Sequence, residues 1–210
     1  AYYLQLMGHQ SVVYEKRKRL GGMLRYGIPN YRLPRERLDA EIDVILSTGV
    51  EVHTETDIGK DVTLAQLDRE FDAVYLAIGA QTDKKVGIPG EDGKNVISAV
   101  TMLRNIGDDI LPDFKDKRVL VIGGGNVAMD VARSSLRLGA SYVGIAYRRR
   151  QEDMTALPEE VEGALAEGCE LLQLQAPKRI ELDADHKVAA LWVQPQIISH
   201  YRGGRPSPNN

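Results

Sequence analysis

Arg118-Val119-Leu120-Val121-Ile122-Gly123-Gly124-Gly125-Asn126-Val127-Ala128 is the stretch that decides the fold. Its first five residues read as a buried strand. From Asn126 to residue 138 the spacing predicts a helix with Ala128, Val131, Ala132 and Ser135 on one face, closed by Gly139. Between strand and helix, Gly123 through Ala128 fits the G-x-G-x-x-G/A spacing. Gly123 permits the tight turn, Gly125 lets a pyrophosphate approach the backbone, and Ala128 lets the helix lie close on the sheet. Free N–H groups and the helix dipole converge at such a helix start, which suits a phosphate. A merely structural βα turn is the alternative; the strand before and the helix after favour a dinucleotide.

Downstream, the next strand, 142–147, runs into Arg148-Arg149-Arg150, and no acid follows until Glu152. An NAD site wants an acid there for the ribose 2′-hydroxyl, whereas a guanidinium fork matches a 2′-phosphate. Arg148 and Arg149 therefore favour NADP(H) over NAD(H), and Tyr147 or an arginine could cover the adenine. The alternative is a solvated charge run. A helix is expected to start at Pro158, with Glu159 and Glu160 near its positive end. Strands are expected at 170–174, 179–182 and 189–193, with Trp192 in the core and Cys169 a buried filler. Gly203-Gly204-Arg205-Pro206 reads as loop.

Upstream, residues 4–8 followed by 12–15 repeat the plan of residues 136–139 followed by 145–148: helix end, glycine stop, strand, charged residue. Ala1 is not methionine and stands inside a helical pattern, so the chain reads as a fragment. The glycine fingerprint matching this first unit would fall before Ala1. Glu15, just after the first strand, suits an unphosphorylated ribose, and FAD is the natural second cofactor because a flavin exchanges hydride with NADPH. Lys16–Arg19 reads as a solvated run. Gly21-Gly22, Gly27-Ile28-Pro29 and Leu33-Pro34 predict a rigid loop where a flat ring could lie; any surface loop shows the same residues. A helix is expected over 35–48, an edge strand over 50–53, a short helix over 64–67, and a nearly continuous apolar strand over 72–79, as in a sheet covered on both faces. Residues 80–117 read as a connection holding one helix near 97–106. The expected fold is α/β: a Rossmann-like dinucleotide-binding domain (three-layer, a parallel sheet with an added β-meander) over 111–210. An incomplete second, FAD-type Rossmann unit with its connection occupies 1–110.

The 210 residues match one large domain or two small ones. With 43% hydrophobic and 27% charged residues, wholesale disorder is not expected. Net charge is −3, from 27 basic and 30 acidic residues, so there is no basic footprint for nucleic acid. No apolar run approaches the roughly 20 residues of a membrane span, and no leader opens the chain, so a cytoplasmic setting is expected. A single cysteine excludes an internal disulfide, a Cys-x-x-Cys pair and a cysteine-held cluster within this chain. Four scattered histidines give no metal spacing. Redox chemistry must belong to an organic cofactor.

Several strings point further. Tyr14-Glu15-Lys16, Leu20-Gly21-Gly22-Met23-Leu24-Arg25-Tyr26-Gly27-Ile28-Pro29 and Arg32-Leu33-Pro34 resemble the small (β) subunit of NADPH-dependent glutamate synthase and its relatives. So do Ala77-Ile78-Gly79-Ala80, Gly123 through Asp130, Tyr147-Arg148-Arg149, and Met154-Thr155-Ala156 with Glu159 and Glu162. The resemblance covers nearly the whole chain. It implies a two-dinucleotide flavoprotein in which Glu15 meets the FAD ribose, Gly22 and Gly27 lie near the flavin, and Gly79 lies against the cofactor. It places Gly125, Asn126 and Ala128 at the NADPH pyrophosphate and Arg148 and Arg149 at its 2′-phosphate. Hydride would pass from nicotinamide to flavin, and electrons on to iron–sulfur clusters of another domain or subunit. The family's cysteine-rich cluster domain, FAD glycine loop and C-terminal FAD segment are absent from this sequence, so the piece alone is expected to bind FAD weakly and to be inactive. No catalytic side chain is named, because hydride transfer needs positioning rather than a protein acid or base. Alternatives are a one-cofactor NADP-dependent dehydrogenase and a non-catalytic NADP-binding domain; homo-oligomerisation is left open.

Overall fold

The computed structural model describes the backbone of residues 1–202 and 205–209, and side chains through Ile198. The contacts divide the chain into two units, 1–80 and 81–210. In the first, helix α1 (Tyr2–Leu6) ends as expected at Gly8, whose φ of +89° suits glycine. Strand β1 (Val12–Tyr14) follows, then α2 (Gly22–Tyr26), α3 (Arg35–Leu46), β2 (Glu51–His53) and α4 (Leu64–Glu70). β1 and β2 pair in parallel, with Val12 opposite Glu51 and Tyr14 opposite His53. Thr63 and Gln66 form a reciprocal capping box at the start of α4.

Two features of this unit differ from the sequence reading. The loop after β1 contains α2. Gly21, at φ +119°, turns the chain into Met23-Leu24-Arg25, which favour helix, and the buried Arg25 guanidinium holds the Leu20 carbonyl and the Asp39 carboxylate. Residues 72–79 were expected as a covered strand and are not one. No ladder among the described residues includes them, and Tyr75 and Ile78 are 89% and 79% exposed. Apolar composition does not make a strand without neighbours for its N–H and C=O groups, and the ladder of this unit is confined to β1 and β2.

The second unit opens with α5 (Ala99–Gly107) and continues through β3 (Arg118–Ile122), α6 (Asn126–Arg137), β4 (Tyr142–Tyr147), a 3₁₀ turn (Gln151–Asp153), α7 (Pro158–Ala166) and β5 (Glu170–Gln173). The sheet order is β3-β4-β5, all parallel, which is the βαβαβ plan read from the sequence. β4 is central and buried from Val143 to Tyr147. β3 lies at one edge, so Leu120 is half exposed rather than buried, while Val121 is buried. The predicted face of α6 is in the core: Ala128, Val131, Ala132 and Ser135 are buried together with Met129. Met102 and Leu103 of α5, Val161 and Ala164 of α7, and Cys169 complete that core. Burial pushes the Cys169 thiol up to about 11, consistent with an inert filler.

Antiparallel pairs follow: β6 (Gln175–Leu182) with β7 (Val188–Pro195), and β8 (Ile197–Arg202) with β9 (Arg205–Asn209). Arg205 and Pro206, expected as loop, lie in β9, where a two-stranded ladder tolerates the missing proline N–H; Gly203 and Gly204 lie outside the described residues. Trp192 is not core. It is 52% exposed on β7, with the Arg179 guanidinium 4.5 Å above its ring and its indole N–H donating to Glu181.

An ion network ties α6 to α7. Arg133 donates to Glu160 at 3.0 Å and to Glu167 at 2.7 Å, and Arg137 reaches Glu167 at 2.7 Å. The hydrogen bond from Arg137, helped by Arg133 and opposed by burial, holds the Glu167 carboxyl below its ordinary range. A depressed carboxyl contributes stability that is complete above its unfolded-state value and is lost as pH falls through the folded one. Arg133→Ala, which removes the guanidinium linking Glu160 to Glu167, is expected to cost about 1–3 kcal/mol in urea unfolding at neutral pH. That difference from the parent should shrink as pH falls through and below the ordinary glutamate range.

Candidate dinucleotide-binding site

The glycine turn is held from three sides. Gly123 has φ +146° and donates its N–H to the Ala146 carbonyl at 3.2 Å, joining the turn to the end of β4. A side chain on Gly124 would lie within 2.6 Å of Cδ2 in the Tyr147 ring, so the middle position must be glycine as well. The Gly124 carbonyl accepts the N–H groups of Thr155 and Ala156, each at 3.0 Å. Residues 154–157 thus form a strap across the turn, and the Leu157 N–H donates to Asn126 Oδ1 at 2.8 Å. Gly125 is the N-cap of the 12-residue α6, and no side chain caps that helix. Val127 in its first turn is 46% exposed. The first N–H groups of a helix have no partner within it, so this terminus presents donors and a positive dipole end. Ala128 is buried, and its Cβ lies 3.3 Å from where a side chain on Gly123 would begin, which accounts for the small residue there.

The three arginines after β4 part company. Arg148 is exposed and makes no ion pair among the described residues; Arg149 is half buried, and its carbonyl accepts the Leu174 N–H at 3.0 Å. Arg150 is spent internally. It meets Asp153 through Nε at 2.9 Å and Nη2 at 3.0 Å, and Glu152 through Nη1 at 2.5 Å. The hydrogen bond from Arg150 is the main reason the Asp153 carboxyl sits below its usual range. The Tyr147 hydroxyl donates to the Asp153 carbonyl at 2.8 Å, so one side chain braces both the glycine turn and this clamp.

In the first unit, Glu15 stands just after β1, half buried, with Oε1 accepting the Arg17 N–H at 2.7 Å. Gly22 opens α2 at φ +50° and is exposed. Gly27 ends α2, where a Cβ would lie 2.9 Å from the Met23 carbonyl oxygen; a packing reason suffices for that glycine. Gly79, at φ +65°, lies in the exposed stretch after α4. Sequence reasoning missed what stiffens the loop between β1 and α3. Arg35 donates to the Leu24 and Ile28 carbonyls at 3.0 and 2.8 Å, and the Tyr26 hydroxyl bonds the Arg19 carbonyl at 3.1 Å. It also missed Tyr147 as the partner of Gly124; an aromatic closing the strand after a triple glycine is the signal.

The family description "Pyridine nucleotide-disulphide oxidoreductase" matches residues 2–190. The chain belongs to that family. Among curated members and relatives, it is 45% identical over 170 residues to the NADP(+)-dependent formate dehydrogenase subunit beta of Moorella thermoacetica, covering 80% of this chain and 24% of that one. It is 39% identical over 202 residues to the NADPH-Fe(3+) oxidoreductase subunit beta of Geobacter sulfurreducens, covering 91% and 29%. It is 33% identical over 194 residues to the glutamate synthase [NADPH] small chain of Escherichia coli K12, covering 88% and 41%. The chain therefore spans between about a quarter and two fifths of the length of these relatives. Among solved structures, FprA of Mycobacterium tuberculosis in complex with NADPH superposes with a TM-score of 0.79 at 20% identity, over 96% of this chain and 60% of that one. The likeness supports the pyridine nucleotide-disulphide oxidoreductase fold. No helix among the described residues is long and apolar enough to cross a membrane.

Gly124→Ala is expected to force the Tyr147 ring aside and lower stability by about 1–3 kcal/mol in denaturant unfolding. Tyr147→Phe, which keeps the ring and loses the hydroxyl, should cost only about 1 kcal/mol. Equal and negligible effects would show that ring and turn do not depend on one another.

Proposed function

We propose that this chain is the NADP(H)-binding portion of a larger FAD-dependent oxidoreductase, cytoplasmic and working with iron–sulfur clusters on another domain or subunit. The observation that carries the reading is the uncapped start of α6 behind a glycine turn, with Arg148 exposed at the end of the neighbouring strand. Gly123, Gly125, Asn126 and Ala128 form the pyrophosphate cradle: main-chain donors at the helix start face the charge, and small residues keep Cβ atoms out of its way. Arg148 and Arg149 take the 2′-phosphate, while Arg150, held by Glu152 and Asp153, stays out of the site. Relatives named for NADP(+) and NADPH support the choice of coenzyme.

The chemistry the two cofactors supply when bound is hydride transfer from nicotinamide to flavin. The chain's own residues bind and orient: the turn fixes the phosphates, and the arginine pair fixes the adenosine end. In this reading residues 111–210 carry the NADP(H) site, and residues 1–110 carry the partial FAD part with its connection. Glu15 suits the FAD ribose at the end of β1, and Gly22, Gly27 and Gly79 belong to the same part. Residues 1–80 contain no G-x-G-x-x-G turn, so the chain supplies a ribose acid for FAD and no phosphate cradle.

Replacing both Arg148 and Arg149 by alanine is expected to weaken NADPH binding at least about tenfold and to leave NADH within about twofold, read by nucleotide fluorescence titration. Equal loss for both coenzymes would contradict the 2′-phosphate assignment.

A further inference from the structure

The Gly124 carbonyl oxygen carries two lone pairs, and the N–H groups of Thr155 and Ala156 take both, each at 3.0 Å. The Thr155 hydroxyl stands 3.4 Å from the same oxygen, beyond the normal range of an O–H···O bond. It is a surplus donor there. Thr155 is exposed, so its hydroxyl hydrogen can turn elsewhere without stranding a buried group. The strap fixes where the hydroxyl is: the two bonds to Gly124 hold one side, and the Leu157 N–H on Asn126 Oδ1 holds the other. Thr155 Oγ1 lies 3.5 Å from the point at which a side chain on Gly125 would begin. It therefore borders the space that the missing side chain leaves open at the start of α6.

We infer that Thr155 is a further binding residue for the dinucleotide, its hydroxyl donating to a pyrophosphate oxygen from the strap while the main chain of α6 donates from the turn. The inference rests on the NADP(H) reading and adds a contact of a different kind. Arg148 and Arg149 read the extra phosphate of one coenzyme, whereas Thr155 touches a group that NADPH and NADH share. A hydrogen bond to a phosphate oxygen belongs to the stronger, charge-assisted class. A hydroxyl also adds it without a second positive charge beside a helix terminus that is already positive.

The test is fluorescence titration of the chain with NADPH and with NADH, comparing the parent with Thr155→Val and Thr155→Ser. Thr155→Val keeps the shape and removes the donor; it is expected to weaken both coenzymes by about tenfold, with their ratio and the melting temperature unchanged. Thr155→Ser, which restores the hydroxyl, should return both to within about twofold of the parent. The assignment is overturned if Thr155→Val binds both coenzymes like the parent, if it weakens only one, or if Thr155→Ser is as weak as Thr155→Val. A parent chain that binds neither coenzyme overturns the NADP(H) reading beneath it, a result distinct from a normal parent with an indifferent valine variant.

Discussion

The carbonyl oxygen of Gly124, gripped by the N–H groups of Thr155 and Ala156 above the Tyr147 ring, is the contact on which the rest of the site depends. It joins three pieces that are distant in sequence: the turn between β3 and α6, the end of β4, and the segment leading into α7. Glycine at position 124 lets the ring come close, and the ring's hydroxyl reaches on to Asp153, which clamps Arg150. Loosening any one of these lets the turn, the strap and the arginine segment move separately. Held together, they present a helix terminus to solvent in a fixed direction, as an anion site requires.

The support behind this arrangement is ordinary packing. β4 is buried from Val143 onward, α6 lays its small-residue face on the sheet, and Arg133 and Arg137 draw α7 in through Glu160 and Glu167. The polar network sits on the side of α6 away from its glycine end, so stability and binding are separable. One set of residues holds the two helices together; the other leaves the helix start open.

The glycine turn, the face of α6, the parallel strands around it and the hairpin after β5 were legible in the sequence, because periodicity and glycine spacing are local signals. Tertiary facts were not. Residues 72–79 are apolar enough for a covered strand, yet strand formation is decided by neighbours, and among the described residues the one ladder between strands of this unit is that of β1 with β2. Trp192 looked like core and is a surface residue, because β6 and β7 pair with each other alone and Arg179 covers its ring. The three arginines read alike in sequence; only the positions of Glu152 and Asp153 set Arg150 apart. Position 124 is an unspecified position of the glycine motif, and only the tertiary structure sets the Tyr147 ring against it.

The most direct test of the anion-binding turn is a two-dimensional amide spectrum of the chain recorded during titration with NADP+. The account predicts saturable shifts concentrated on the N–H signals of Gly125, Asn126 and Val127, with the strap residues Thr155 and Ala156 following them. Those signals standing still while amides elsewhere move, or a spectrum indifferent to the nucleotide, would contradict it.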